Sequence, residues 1–313
     1  MSSLEANQLF SVKGLVCVIT GGGSGLGAVM ARALDMNGAA QVFILGRRET
    51  KLKQVASEAK NNSLIPVKLY LYSLGTSTDL ESTSRVCDVS SKESLQATVS
   101  TISKQTPFIN LLIANSGYLG DVTNMAPRPA GQTVSKLQEE LWSQTFSDAC
   151  AVVDTNIAGS YFTFLAFLGL LGAGNTHPNS VGKSGLLQSQ FISTTSFGGL
   201  CRAEAPSIVY NASKAALNHL TKILSSEFAR YGIRANAIAP GMFVTEMTEA
   251  HTPKGDISVV GSMPWQAIPV TRAGTEEDIA GAVLYLASRA GSFVNGCILL
   301  SDGGMLAVRP GSY

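Results

Sequence analysis

Leu15-Val16-Cys17-Val18-Ile19-Thr20 runs without a break into Gly21-Gly22-Gly23-Ser24-Gly25-Leu26-Gly27, and this junction decides the fold. A short apolar, β-branched run reads as a strand covered on both faces. Glycines directly after it permit a tight turn and let backbone N–H groups approach a ligand closely. The helical stretch that follows, Gly25–Asn37, would aim its positive N-terminal end at the same point. A glycine run alone is weak evidence, but one between the first strand and first helix of an α/β chain points to a bound dinucleotide.

Outward from this junction, strand candidates alternate with helical patterns. The strands are Leu15–Thr20, Gln41–Leu45, Ser84–Cys87, Asn110–Ala114, Leu187–Ser193, Arg234–Ala239 and Cys297–Ser301. The helices include Gly25–Asn37, Arg48–Ala59, Lys92–Gln105, Tyr210–Tyr231 and Glu276–Ser288. That alternation predicts a doubly wound α/β fold, Rossmann-like, with one parallel sheet and helices on both faces. A chain of 313 residues is read as a single domain over 1–313. Asn61–Thr83, Gly120–Trp142 and Gly172–Gly185 are rich in small polar residues, Gly or Pro and read as surface insertions. Glu246–Pro269 mixes Pro253, Gly255, Gly261 and Pro264 with Met247, Val259, Val260, Met263, Trp265 and Ile268. It reads either as a loop packed on the core or as a lid over a lipophilic substrate.

Composition narrows the function. With 45% hydrophobic and only 14% charged residues, the chain has ample apolar surface to bury and is not a disordered polymer. A net charge of +1 lacks the basic excess of a duplex-binding protein, so no nucleic-acid partner is expected. Five scattered cysteines without a CxxC pair argue against a disulfide framework, and no metal site is expected. The uncharged stretch Ile157–Gly174 approaches a membrane-spanning length. Its glycines, Ser160 and Thr163 favour a buried helix instead, and no membrane partner is expected. The start of the chain lacks a secretory pattern, so a cytoplasmic protein is anticipated.

The glycine spacing Gly21-x-x-x-Gly25-x-Gly27 resembles that of the short-chain dehydrogenase/reductases. The resemblance continues in Cys87-Asp88-Val89, Asn115-Ser116-Gly117, Pro240-Gly241 with Thr245, and Asp302-Gly303-Gly304, and covers nearly the whole chain outside the insertions. It implies that Gly21, Gly23, Ser24, Gly25, Leu26 and Gly27 hold the cofactor phosphates. By the same likeness Asp88 and Val89 take the adenine, Asn115, Ser116 and Gly117 line its ribose side, and Pro240, Gly241 and Thr245 meet the nicotinamide. One departure is Ala114-Asn115, where the family usually has two asparagines.

Cofactor choice turns on the end of the second strand. An acidic residue there would bond the ribose 2′-hydroxyl of NAD, whereas this chain has Gly46-Arg47-Arg48. Guanidinium groups pair bidentately with a 2′-phosphate, so NADP(H) is expected, with Arg47 the main contact and Ser24 or Arg48 supporting. The alternative is that both arginines are solvated surface charges.

Of the eight tyrosines, only Tyr210 has a lysine four residues on, Lys214, which puts both on one helix face. Tyr210-Asn211-Ala212-Ser213-Lys214 resembles the family's catalytic helix start. Free tyrosine, with a pKa near 10, is a slow proton shuttle; a nearby ammonium would lower that value. The resemblance adds Lys214 contact to the nicotinamide ribose and makes Ser196, fourteen residues before Tyr210, the serine that polarises the substrate oxygen. Ser193, Thr194 and Thr195 remain nearby candidates. It also makes Asn156 the residue holding a relay water against Lys214, against the reading of an ordinary hydrogen-bonded asparagine.

The sequence is therefore read as an NADPH-dependent reductase of a ketone or aldehyde on a lipophilic small molecule, similar to acyl-carrier-protein ketoreductases and natural-product pathway reductases. NADP-dependent oxidation of a secondary alcohol, a non-catalytic NADP(H)-binding regulator or scaffold, and a protein that assists a cyclisation are the alternatives. The uncharged helix and the apolar last strand lead to an expected homodimer or homotetramer.

Overall fold

In a computed structural model the described residues are 4–67, 69–70, 84–85, 87–121, 131–203, 207–249 and 252–312. After a short helix α1 (Ala6–Leu9), the chain builds β1 (Val16–Thr20), α2 (Gly25–Met36), β2 (Gln41–Leu45), α3 (Glu49–Ser57) and β3 (Leu64–Pro66). A ribbon of β4 (Leu69–Tyr70) and β5 (Ser84–Arg85) follows, then α4 (Lys92–Ser103), β6 (Leu111–Ala114), α5 (Val134–Trp142) and α6 (Phe146–Val153). A π-turn (Asp154–Ala158) leads into α7 (Gly159–Thr176), and β7 (Gln190–Thr194), α8 (Ile208–Glu227), β8 (Arg234–Pro240), α9 (Glu276–Ala287) and β9 (Ile298–Ser301) complete the chain.

Seven strands form one parallel sheet in the order β3-β2-β1-β6-β7-β8-β9. Each strand's residues alternate between two hydrophobic layers, as the two-residue strand period requires. Cys17, Ile19, Val42, Ile44, Leu111 and Ile113 face α2, α3 and α9. Val16, Val18, Phe43, Leu45, Leu112 and Phe191 face α4, α7 and α8. Both faces are covered, which is why the strands read as unbroken apolar runs.

Strand order, not strand direction, reverses between β1 and β6: the sheet grows outward through β2 and β3, then returns to β1's other side. The crevice beyond the carboxyl ends of these strands is the ligand position of such sheets. Thr20 closes the gap from below, its hydroxyl accepting the backbone N–H of both Asn115 (3.0 Å) and Ser116 (3.1 Å).

Two expectations need correction. The third strand of the sheet is Leu64–Pro66, inside the expected insertion Asn61–Thr83. Ser84–Arg85, within the strand expected at Ser84–Cys87, pairs antiparallel with Leu69–Tyr70, outside the sheet. A three-residue edge strand paired on one side and ended by Pro66 carries too little pattern to register as a strand. Most of the remainder of 61–83, and the middle of Gly120–Trp142, lie outside the described residues. The expected insertion Gly172–Gly185 begins inside α7, which runs on to Thr176.

The uncharged stretch forms α7, with Phe164, Phe167 and Leu171 fully buried against the sheet and Tyr161 and Leu165 left over a third exposed. Among the described residues, Phe146–Thr176 is the one helical stretch long and apolar enough to cross a membrane. Its inner face is packed into the second hydrophobic layer.

Candidate functional site

The first turn of α2 sets the floor of the site. Ser24 stands at the N-cap position, yet its side chain makes no capping hydrogen bond, leaving the first-turn N–H groups open to the cleft. A Cβ on Gly27 would lie 2.3 Å from the Gly21 carbonyl and 2.4 Å from Asn115 Nδ2, so only glycine lets the helix start pass this close. Gly25 has φ of +52°, a left-handed backbone suited to the same residue type.

Above this floor lies a cleft of about 580 Å³. Its wall includes Gly21, Gly23, Ser24, Gly25, Leu26, Arg47, Arg48, Asp88, Val89, Asn115, Ser116, Gly117, Ser196, Tyr210, Lys214, Pro240, Gly241 and Thr245. Residues from five strand ends thus meet in one crevice. Gly27 sits beneath the wall as a packing residue. An open helix N-terminus, a cradle that only glycine fits and two arginines at the far end suit a dinucleotide.

The polar end of the cleft is built on α8. The Ser207 hydroxyl caps this helix by accepting the Tyr210 N–H at 3.2 Å, which places Tyr210 in the first turn and Lys214 one turn on. Lys214 Nζ donates to the Thr194 carbonyl at 2.8 Å and lies 5.5 Å from the Tyr210 ring centre. Ser196 starts a short turn, its hydroxyl accepting the Gly198 N–H, and it lies close enough to the Tyr210 phenol to lower its pKa. Of the other candidates, Ser193 is buried against Thr221, the Thr195 hydroxyl donates to the Ile238 carbonyl, and buried Thr194 Oγ1 finds no partner among the described residues.

Electrostatics here runs opposite to one sequence expectation. Burial pushes the Tyr210 phenol up to about 12, and the nearby Ser196 hydroxyl offsets only part of this. Burial also pulls Lys214 down to about 8. Desolvation opposes both charged forms, and in the free cleft it outweighs the attraction between them.

Asn156 stands behind Tyr118. It lies in the π-turn, fully buried and off the cleft wall. Its Oδ1 accepts the Tyr118 N–H at 2.8 Å, while Nδ2 donates to the Tyr118 carbonyl (2.9 Å) and to Ser213 Oγ (2.9 Å). The side chain holds the segment after β6 against α8; both Nδ2 hydrogens are used, while Oδ1 keeps a second lone pair near Lys214 Nζ, each of the two lying 3.4 Å from a Cβ built at Gly117. Single-turn π-bulges recur at functional sites, and this one turns Asn156 inward.

Glu246–Pro269 divides in two. Ile257, Met263 and Ile268 pack with Ala273 and Met305 in a small cluster, while Trp265, Val259 and Val260 are more than half exposed. Among the described residues of this segment, Glu246, Met247 and Thr248 reach the cleft. Tyr118, Leu119, Phe243, Lys51 and Glu246 also line it and carried no role in the sequence reading. Tyr118 follows Asn115-Ser116-Gly117 directly, the one signal that could have found it.

The family model described as Enoyl-(Acyl carrier protein) reductase matches residues 73–306. A curated relative, the short-chain dehydrogenase/reductase PhomF of Diaporthe leptostromiformis, is 40% identical over 99% of this chain and 98% of its own. Among solved structures, the RhlG/NADP active-site complex of Pseudomonas aeruginosa superposes with a TM-score of 0.70 at 23% identity, covering 95% of this chain and 98% of the other. A 3-ketoacyl-(acyl-carrier-protein) reductase of Brucella melitensis complexed with NADH gives 0.69 at 24% identity, covering 94% and 99%. The family model and these relatives support an NAD(P)-dependent oxidoreductase acting on CH–OH or C=O groups. The chain belongs to the short-chain dehydrogenase/reductase family.

Because Lys214 is depressed, the folded protein carries a cost for holding it protonated. That cost is fully present below about 8 and fades as pH rises from there toward 10.5. Lys214→Met should therefore stabilise the nucleotide-free protein at neutral pH by about 1–2 kcal/mol, net of the lost Thr194 hydrogen bond. The gain should shrink through that same pH interval in urea unfolding curves. A variant less stable than wild type at neutral pH would contradict the assigned burial cost.

Proposed function

We propose that this enzyme uses NADPH to reduce a ketone or aldehyde on a lipophilic small molecule to the alcohol. The observation that carries the reading is the meeting of Tyr210, Ser196 and Lys214 at one end of a cleft whose other end carries Arg47 and Arg48. A bound reduced nicotinamide supplies the hydride. Tyr210, whose phenol stays protonated well above neutral pH, donates its proton to the carbonyl oxygen as charge develops there. Ser196 donates to the same oxygen and holds it in line with Tyr210. Lys214 positions Tyr210's surroundings through Thr194 and reaches toward the nicotinamide ribose. Asn156 acts one step back, fixing the Tyr118 backbone and Ser213.

The glycine loop and the start of α2 hold the pyrophosphate, Asp88 and Val89 the adenine, Asn115 to Gly117 its ribose side, and Pro240, Gly241 and Thr245 the nicotinamide. One solved neighbour holds NADP and the other NADH, so the nucleotide preference rests on Gly46-Arg47-Arg48. Arg47 makes no ion pair among the described residues and is the cation free for a 2′-phosphate. Leu119, Phe243 and Met247 on the cleft wall favour an apolar substrate. Members of the family usually form oligomers. The half-exposed outer face of α7 and edge strand β9 support a homodimer or homotetramer here.

Tyr210→Phe should leave NADPH binding intact and cut kcat by more than about tenfold, a barrier change above roughly 1.4 kcal/mol. Retention of a tenth or more of the turnover removes Tyr210 from the mechanism. Arg47→Asp should collapse NADPH affinity while NADH use persists, and a wild-type preference for NADH would overturn the nucleotide assignment. Light scattering should give a multiple of the 32.8 kDa chain mass at micromolar concentration. The monomer mass there would reject the oligomer.

A further inference from the structure

Glu246 follows Thr245 directly, and its carboxylate reaches back across the mouth of the cleft to the opposite wall. Oε2 accepts from Arg48 Nη2 at 2.6 Å, and Oε1 from Lys51 Nζ at 3.0 Å. The same Arg48 nitrogen donates to Ser24 Oγ at 3.0 Å. Two of the three cations at the end of β2 are therefore paired with one carboxylate, 198 residues away from Arg48 in the chain. Pairs this exposed contribute little to stability, so their place matters more than their strength. Ser24, Arg47, Arg48, Lys51 and Glu246 all line the one cleft. The hydrogen bonds from Arg48 and Lys51 hold the Glu246 carboxyl below its usual range, which keeps it charged at neutral pH. A carboxylate in that position repels a phosphate and also occupies the donors a phosphate would take.

We propose that Glu246 sets the nucleotide selectivity of this enzyme by competing with the 2′-phosphate for Arg48 and Lys51, leaving Arg47 as the uncontested contact. The proposal rests on the NADP(H) reading. A nucleotide without the 2′-phosphate leaves the Glu246 bridge in place and loses nothing by it. One that carries the phosphate must displace Glu246 or bind beside it. Glu246 thus lowers the preference for the phosphorylated nucleotide, and Arg48 contributes less to it than its location suggests.

The test is Glu246→Gln, nearly isosteric and uncharged, with NADPH and NADH each titrated against the free protein by calorimetry. The Kd for NADPH should fall about fivefold, with the NADH value changing less than about twofold. In that background Arg48→Ala should weaken NADPH binding more than it does in the wild type, because the competitor is gone. Glu246→Asp, which keeps the charge, should stay closer to wild type, and thermal melts check that each variant is folded. Equal shifts for both nucleotides, no shift, or weaker NADPH binding in Glu246→Gln would overturn the proposal. If wild type binds NADH more tightly than NADPH, the NADP(H) reading itself fails. The Glu246 proposal is judged separately, by the change in the NADPH-to-NADH ratio between variant and wild type.

Discussion

Everything functional here depends on how the end of β1 is joined to the end of β6. At that point the sheet's two halves diverge, and without a tie the glycine turn and the Asn115 segment would be independent loops. The Thr20 hydroxyl accepts two consecutive N–H groups, from Asn115 and Ser116, and Asn115 Nδ2 reaches the Gly21 carbonyl at 3.3 Å. Two side chains thus fix the spacing between the turn that cradles phosphates and the segment that leads to the catalytic helix. The bareness of Gly27 belongs to the same constraint, since a single added carbon would collide with both partners. Groups held this closely need little reorganisation when a ligand arrives.

The catalytic end stands on a different balance. Tyr210, Lys214 and Ser196 are placed by caps and backbone carbonyls, and burial alone accounts for the shift of Lys214. The site is strained electrostatically before any nucleotide enters: the amine is hard to protonate and the phenol hard to ionise. Such strain at a functional site is stability given up for reactivity. The hydrophobic layers on both faces of the sheet supply the margin.

How much of this could be read in the residues alone varies with the kind of signal. The glycine turn, the Tyr210–Lys214 spacing and the apolar runs of β1, β2 and β6 are local patterns, and all appear in the structure where the sequence puts them. β3 was hidden because Leu64-Ile65-Pro66 is short, lies at an edge and ends in proline. Asn156 was recognisable by resemblance, but its inward direction comes from the π-turn, which no periodicity announces. Likewise, Glu246 meeting Arg48 is a contact between distant stretches, invisible without the fold. The raised Tyr210 was misjudged because a nearby ammonium is visible in sequence and the depth of burial is not.

The π-turn at Asp154–Ala158 bears on how these helices can change over time. Phe146–Thr176 is in effect one rod, about 45 Å long at 1.5 Å per residue. A π-turn accommodates one residue beyond the regular repeat, so the face presented afterwards is rotated by roughly 100°. Upstream of the slip the rod serves α8, with which α6 is in close contact, and downstream it serves the sheet. The two segments are out of phase and answer to separate neighbours. A substitution on one need not be matched on the other, and the outer face of α7 can drift toward new partners without disturbing the phase of α6.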